Sequence, residues 1–142
     1  MGDVLYAATQ FRTRSMREEF SGNRASVLLV DPDPATLAAM EQALQDEGFI
    51  TATAFDAAGA LAAVHRVRSL DLIVTNVQAT QMHAVELVDL VRRHHPGIQV
   101  LYMTTCEDEL FGEPLLLSSD DDVIEKPFSE GELVEVVTSL LR

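Results

Sequence analysis

The sequence predicts an α/β domain built on a doubly wound, five-stranded parallel sheet. Three observations lead to it. Short, largely apolar runs alternate with amphipathic helical stretches along most of the chain. Most of these runs are apolar on consecutive residues rather than on every second one, as strands covered on both faces require. The 142 residues, 47% hydrophobic and 23% charged, are enough to enclose one sizeable core.

Residues 1–25 are a polar extension of mixed charge that runs into the linker-like SGNRAS, and residues 26–142 form the domain. Val4, Leu5, Ala8, Phe11, Met16 and Phe20 make a partial helical stripe, which fits either a loosely docked arm or a helix that pairs with a partner. The first strand is SVLLVD (26–31). A helix follows, with Asp33 as N-cap, Pro34 at its first position, Gly48 as its stop, and Leu37, Met40 and Leu44 on one face. Next come a strand at FITATAF (49–55), a helix from Asp56 to about Val67, a strand at DLIVTN (71–76), a helix from about Val85 to His95 and a strand at QVLYMTT (99–105). The segment CEDELFGEPLLLSSDDD is less regular. Gly112 and Pro114 limit it to a short helix starting near Pro114, and Leu115, Leu116 and Leu117 cannot all face the core, so they offer an apolar spot or ordinary surface leucine. DVIEK (122–126) is the fifth strand. The last helix begins at Ser129, has Glu132 in a capping box, and turns Leu133, Val136, Val137 and Leu140 inward.

Charge narrows the function. The net charge is -13; Arg12, Arg14, Arg17 and Arg24 slightly outweigh Asp3, Glu18 and Glu19 in the first 26 residues, so the body carries nearly all the acid. Such a body repels nucleic acid and anionic membranes. Cys106 is the lone cysteine, no apolar run reaches the roughly 20 residues of a membrane helix, and MGDVLY is no signal peptide; a cytoplasmic location is expected. No two of His65, His83, His94 and His95 have zinc-ligand spacing, so each is expected to be a solvated surface side chain. In an open parallel sheet the site lies beyond the carboxyl ends of the strands. That directs attention to Asp31–Asp33, Asn76–Ala79, Thr104–Cys106, and Lys126 with Pro127.

VLLVDPDPATL, DLIVTNVQATQMHAVEL, VLYMTT and IEKPF occur in that order, with Asp31, Asn76, Thr104 and Lys126 separated by 45, 28 and 22 residues. On these pieces the chain, from about residue 26 onward, resembles the response-regulator receiver domain of two-component signalling, which accepts a phosphoryl group from a histidine kinase on an aspartate. The resemblance implies a flavodoxin-like (βα)5 fold. It puts Asn76 at the phosphoacceptor position, Asp31, Pro32 and Asp33 at the acidic pocket, and Thr104 at the hydroxyl position. Val123 stands at the aromatic switch position, and Lys126 precedes a usually cis proline, Pro127. Thr80 and Ala84 replace the loop's usual proline and glycine.

An amide at residue 76 supplies neither an anionic nucleophile nor a charge for magnesium. Pro32 has no side-chain oxygen, and Asp33 is the best available helix cap. Asp31 and Lys126 then leave the pocket nearly neutral, where a typical receiver has three carboxylates and one lysine. A charge pair about 4 Å apart is worth roughly 4 kcal/mol at an effective dielectric near 20, so losing two anionic ligands removes much of the metal's binding energy. Weak or absent magnesium binding, no cofactor, no catalytic residue and no enzymatic activity are expected.

The expected function is that of a stand-alone receiver-like protein, not phosphorylated at the usual site, that acts through protein-protein interaction. Its partner would be a histidine kinase, another signalling protein, or a second copy through the face of the fourth helix, fifth strand and fifth helix. The alternative is a phosphorylatable receiver that uses Asp31 or Asp33 with magnesium. A small-molecule carrier is disfavoured by DPDP, which offers no phosphate cradle after the first strand.

Overall fold

The computed structural model describes residues 24–79, 82–105 and 122–141. The elements run β1 (Ser26–Val30), α1 (Pro34–Asp46), β2 (Ile50–Ala54), α2 (Ala57–Arg66), β3 (Leu72–Asn76), β4 (Gln78–Ala79), β5 (Met82–His83), α3 (Ala84–His94), β6 (Gln99–Thr104), β7 (Asp122–Glu125) and α4 (Glu130–Leu140). The N-terminal extension up to residue 23, Cys106 and the apolar triplet Leu115, Leu116 and Leu117 lie outside the described residues.

Five strands form one parallel sheet in the order β2-β1-β3-β6-β7, which is the predicted doubly wound arrangement. Val27 of β1 lies opposite Thr51 of β2 on one side and Leu72 of β3 on the other. From β1 the chain winds outward to β2, then returns past β1 to β3, β6 and β7. The reversal falls between β1 and β3, so the crevice for a site opens at the ends of those two strands.

Strand side chains alternate between two cores. On one face Leu28, Val30, Ile73, Val100 and Tyr102 pack under α2 and α3; on the other Val27, Leu29, Leu72, Val74, Leu101 and Met103 pack under α1 and α4. Ala57, Ala60 and Ala63 give α2 a small-residue face that lets its backbone approach the sheet. From α1 come Leu37, Met40 and Leu44, and from α4 Leu133 and Val137; Val136 and Leu140 are partly buried against the same core. Each fully buried leucine or valine contributes roughly 1.5–3 kcal/mol.

Local chemistry sets the helix ends. Asp33, Asp56 and Ser129 each accept a backbone N–H at a helix start, and Ser129 with Glu132 completes the expected capping box. Gly48 ends the turn after α1 at φ 95°, a conformation in which any side chain is strained. Two features depart from the sequence reading. The α3 helix starts at Ala84, one residue early, because His83 caps it: its Nδ1 accepts from the Val85 N–H at 3.2 Å. The stretch before it is a small antiparallel hairpin, with Gln78 opposite His83 and Ala79 opposite Met82.

Candidate functional site

Asp31 directly follows β1 at the reversal point. Its N–H donates to Ala54 O at 3.1 Å, so the backbone is still tied to β2 as the side chain turns toward the strand ends. The carboxylate is 1% exposed and both its oxygens are engaged. Oδ1 accepts from the Asp33 N–H at 2.8 Å, and Oδ2 accepts from Lys126 Nζ at 2.6 Å. Lys126 comes from just past β7, where its own N–H donates to Thr104 O at 2.7 Å; its side chain is 23% exposed. The ion pair thus joins β1 to the edge strand β7 across 95 residues of chain.

Asp33 is committed elsewhere. Its Oδ2 accepts from the Thr36 N–H at 3.2 Å and also from the Thr36 hydroxyl. These bonds favour the ionised form and hold the carboxyl below its usual range, the hydroxyl bond contributing most. Pro32 between the two acids is exposed.

Asn76 ends β3, is partly exposed, and pairs across the ladder with Met103. Its carbonyl accepts from Thr75 Oγ1 at 3.1 Å. Among the described residues the Lys126 side-chain bond goes to Asp31, with none to Asn76. Thr104 ends β6 and is buried at 2% exposure. Val123 sits on the edge strand opposite the buried Tyr102 and is 48% exposed. The Lys126–Pro127 peptide bond is cis.

Beside the ion pair is a pocket of about 410 Å³ lined by Thr36, Thr105, Lys126, Pro127 and Phe128. Thr105 lies in the Thr104–Cys106 stretch to which the sequence directs attention, whereas Thr36 was not singled out. Thr36 could have been found as the residue three past the cap Asp33, where a hydroxyl can return a hydrogen bond. Among the described residues, no group of three or more His, Cys, Asp or Glu side chains is placed to hold a metal ion. The strand ends therefore bring together one buried carboxylate, one ammonium, one amide and a helix cap.

Comparison with known proteins gives a consistent picture. The family model described as the response regulator receiver domain matches residues 27–138. The probable transcriptional regulatory protein TcrX of Mycobacterium tuberculosis is 35% identical over 124 residues, which cover 85% of this chain and 51% of TcrX. The nitrogen assimilation regulatory protein NtrX of Azorhizobium caulinodans is 31% identical over 117 residues, covering 81% of this chain and 26% of NtrX. The chain thus spans about half the length of the first relative and about a quarter of the second. Among solved structures, the chemotaxis response regulator CheY4 of Vibrio cholerae matches with a TM-score of 0.68 and 26% identity, over 84% of this chain and 100% of that one. NtrX from Brucella abortus matches with a TM-score of 0.71 and 29% identity, over 84% of this chain and 27% of that one.

Proposed function

The chain belongs to the response regulator receiver domain family, and from that premise we propose that it is a receiver with a degenerate acceptor site, which signals by contact with a partner protein rather than by carrying an acyl phosphate. Receivers are modules of two-component signal transduction; what is proposed is how this one differs. One observation carries the reading. The acid at the end of β1 is closed on itself, with Asp31 held by Lys126 at 2.6 Å and by the Asp33 N–H at 2.8 Å, while the end of β3 offers the neutral Asn76.

The family implies magnesium, and the described residues at the strand ends do not fit it. The ion requires a near-octahedral shell of hard oxygens with carboxylates among them. Asp31 would have to give up its ammonium partner, Asp33 would have to leave the α1 cap, and Asn76 and Pro32 add no charge. Among the described residues a nucleophile is lacking for the same reason. Asp31 is buried with both oxygens occupied, and Asp33 points into its own helix.

Contact with a histidine kinase, another signalling protein or a second copy is then the means of output. The receiver face expected for this includes β7 and α4, where Val123 is exposed at 48%. The relatives named as transcriptional or DNA-binding regulators extend well beyond the region matched here; contact of this receiver with DNA is not proposed, since the chain carries a net charge of -13. A cytoplasmic setting is part of the proposal, and no helix among the described residues is long and apolar enough to cross a membrane.

The test is phosphorylation chemistry. Incubation with acetyl phosphate or beryllofluoride plus magnesium should leave the intact mass and the amide spectrum unchanged. Magnesium-dependent gain of one phosphoryl group, mapped to Asp31 or Asp33, would replace this reading with that of an active receiver.

A further inference from the structure

We propose that His65 and His94 form a two-imidazole site for a borderline transition-metal ion, zinc(II), nickel(II) or copper(II), on the seam between α2 and α3. The two residues are far apart in sequence and lack any spacing that suggests a shared ligand. The fold joins them: α2 ends at Arg66 and α3 at His94, both helices cover one face of the sheet, and the ring centroids stand 4.4 Å apart at an interplanar angle of 83°. Two imidazoles bound to one ion at about 2.0–2.1 Å place their ring centres roughly 4.5–5 Å apart, close to the observed separation; the rings now meet edge to face, so one must turn until a free nitrogen of each faces the same ion.

The surrounding bonds favour this chemistry. His94 Nδ1 lies 3.3 Å from Leu90 O, and a carbonyl can only accept, so Nδ1 carries the proton and Nε2 keeps the lone pair. A backbone carbonyl on the remote nitrogen is the usual way a ligating imidazole is oriented. His65 has no hydrogen bond to its ring among the described residues, which leaves it able to turn. His95 acts as a brace: its Nε2 lies 3.3 Å from Val64 O and ties the end of α3 to the last turn of α2. Both candidate ligands are exposed, so an ion can enter with water completing its shell.

Charge selects the class of ion. Arg66, Arg68, Arg92 and Arg93 occupy the same two helix ends, and no carboxylate lies between residues 64 and 69 or 91 and 98. Magnesium and calcium, held through anionic oxygen, find no carboxylate on those two stretches. An ion that bonds to neutral nitrogen does. The site also lies far from the acidic strand ends, because helices in such units run back along their strands; the 11 residues of α3 span about 16 Å.

The experiment uses the full, tag-free chain. Substoichiometric nickel(II) should broaden the ring resonances of His65 and His94 before those of His83 and His95, and calorimetry with zinc(II) should give one equivalent. His65→Gln and His94→Gln should each abolish that isotherm with unchanged circular dichroism, while His83→Gln should retain it and magnesium should not compete. The proposal fails if zinc(II) does not bind, if His83 or His95 responds first, or if the isotherm survives in the His65→Gln/His94→Gln double variant.

Discussion

Replacing Lys126 with methionine keeps the length of the side chain and removes its charge, which leaves the Asp31 carboxylate buried with only the Asp33 N–H as partner among the described residues. At 2.6 Å and an effective dielectric near 20, the gross attraction in the pair is about 6 kcal/mol. Desolvation of a carboxylate that is 1% exposed opposes it, and water reaching the 23% exposed lysine screens it. A loss of about 2–3 kcal/mol is therefore expected for Lys126→Met, in the range of charged hydrogen bonds and below that of fully buried pairs. Asp31→Asn should cost less, about 1 kcal/mol, because the lysine it strands can extend into solvent whereas the buried carboxylate cannot. The double variant should recover part of the sum of the two losses. Urea unfolding measures all three, with a shift in midpoint at constant slope. Equal losses in the two single variants, or simple addition in the double one, would refute the claim that burial is one-sided and that the pair acts as a unit.

Asn76→Asp alone should not give strong magnesium binding, whereas Asn76→Asp with Pro32→Asp should, as read by magnesium titration followed by amide shifts. Gly48→Ala should destabilise by about 1–2 kcal/mol in the same urea assay, because residue 48 sits at φ 95°. Asp33→Ala should destabilise α1 at neutral pH. Since the Asp33 carboxyl is held below its usual range, its contribution is complete above the unfolded value and is lost as the pH falls through the folded one. Melting curves of the wild type and Asp33→Ala should therefore converge in strong acid, and a gap that stayed constant with pH would exclude the capping carboxylate as its source.

What could be read in advance was the part governed by local chemistry and by hydrophobic runs. Asp33, Pro34 and Gly48 bracket α1, and Ser129 with Glu132 opens α4, because caps act within a few residues. The ends of β2 were read too generously. Phe49 donates its N–H to Leu44 O and so belongs to the turn after α1, and Phe55 lies beyond the ladder with 56% exposure. The β4–β5 hairpin was missed because strands of two residues have no readable period, and the cap of α3 because histidine is not among the usual capping residues. The Asp31–Lys126 pair became visible only through the family resemblance, and the His65–His94 contact not at all. Both depend on how the sheet order brings distant segments together, which no window along the chain contains.

The same sheet order explains why residues 32 and 76 must be considered jointly. Lys126 is neutralised by an anion that already belongs to the fold, so a single carboxylate at residue 76 would add one negative charge to a site whose described residues have no other negative charge to spare. A dication arriving there would also meet the ammonium that faces Asp31, and pulling Asp31 away would return that ammonium to an unsatisfied state beside the metal. A second carboxylate at residue 32 changes the balance, since it supplies the metal with an oxygen that is not already engaged by Lys126. Pro32 is exposed and the α1 cap is provided by Asp33, so the change leaves the cap intact. The order of effects, with a weak single and a strong double substitution, follows from charge count and placement at the strand ends.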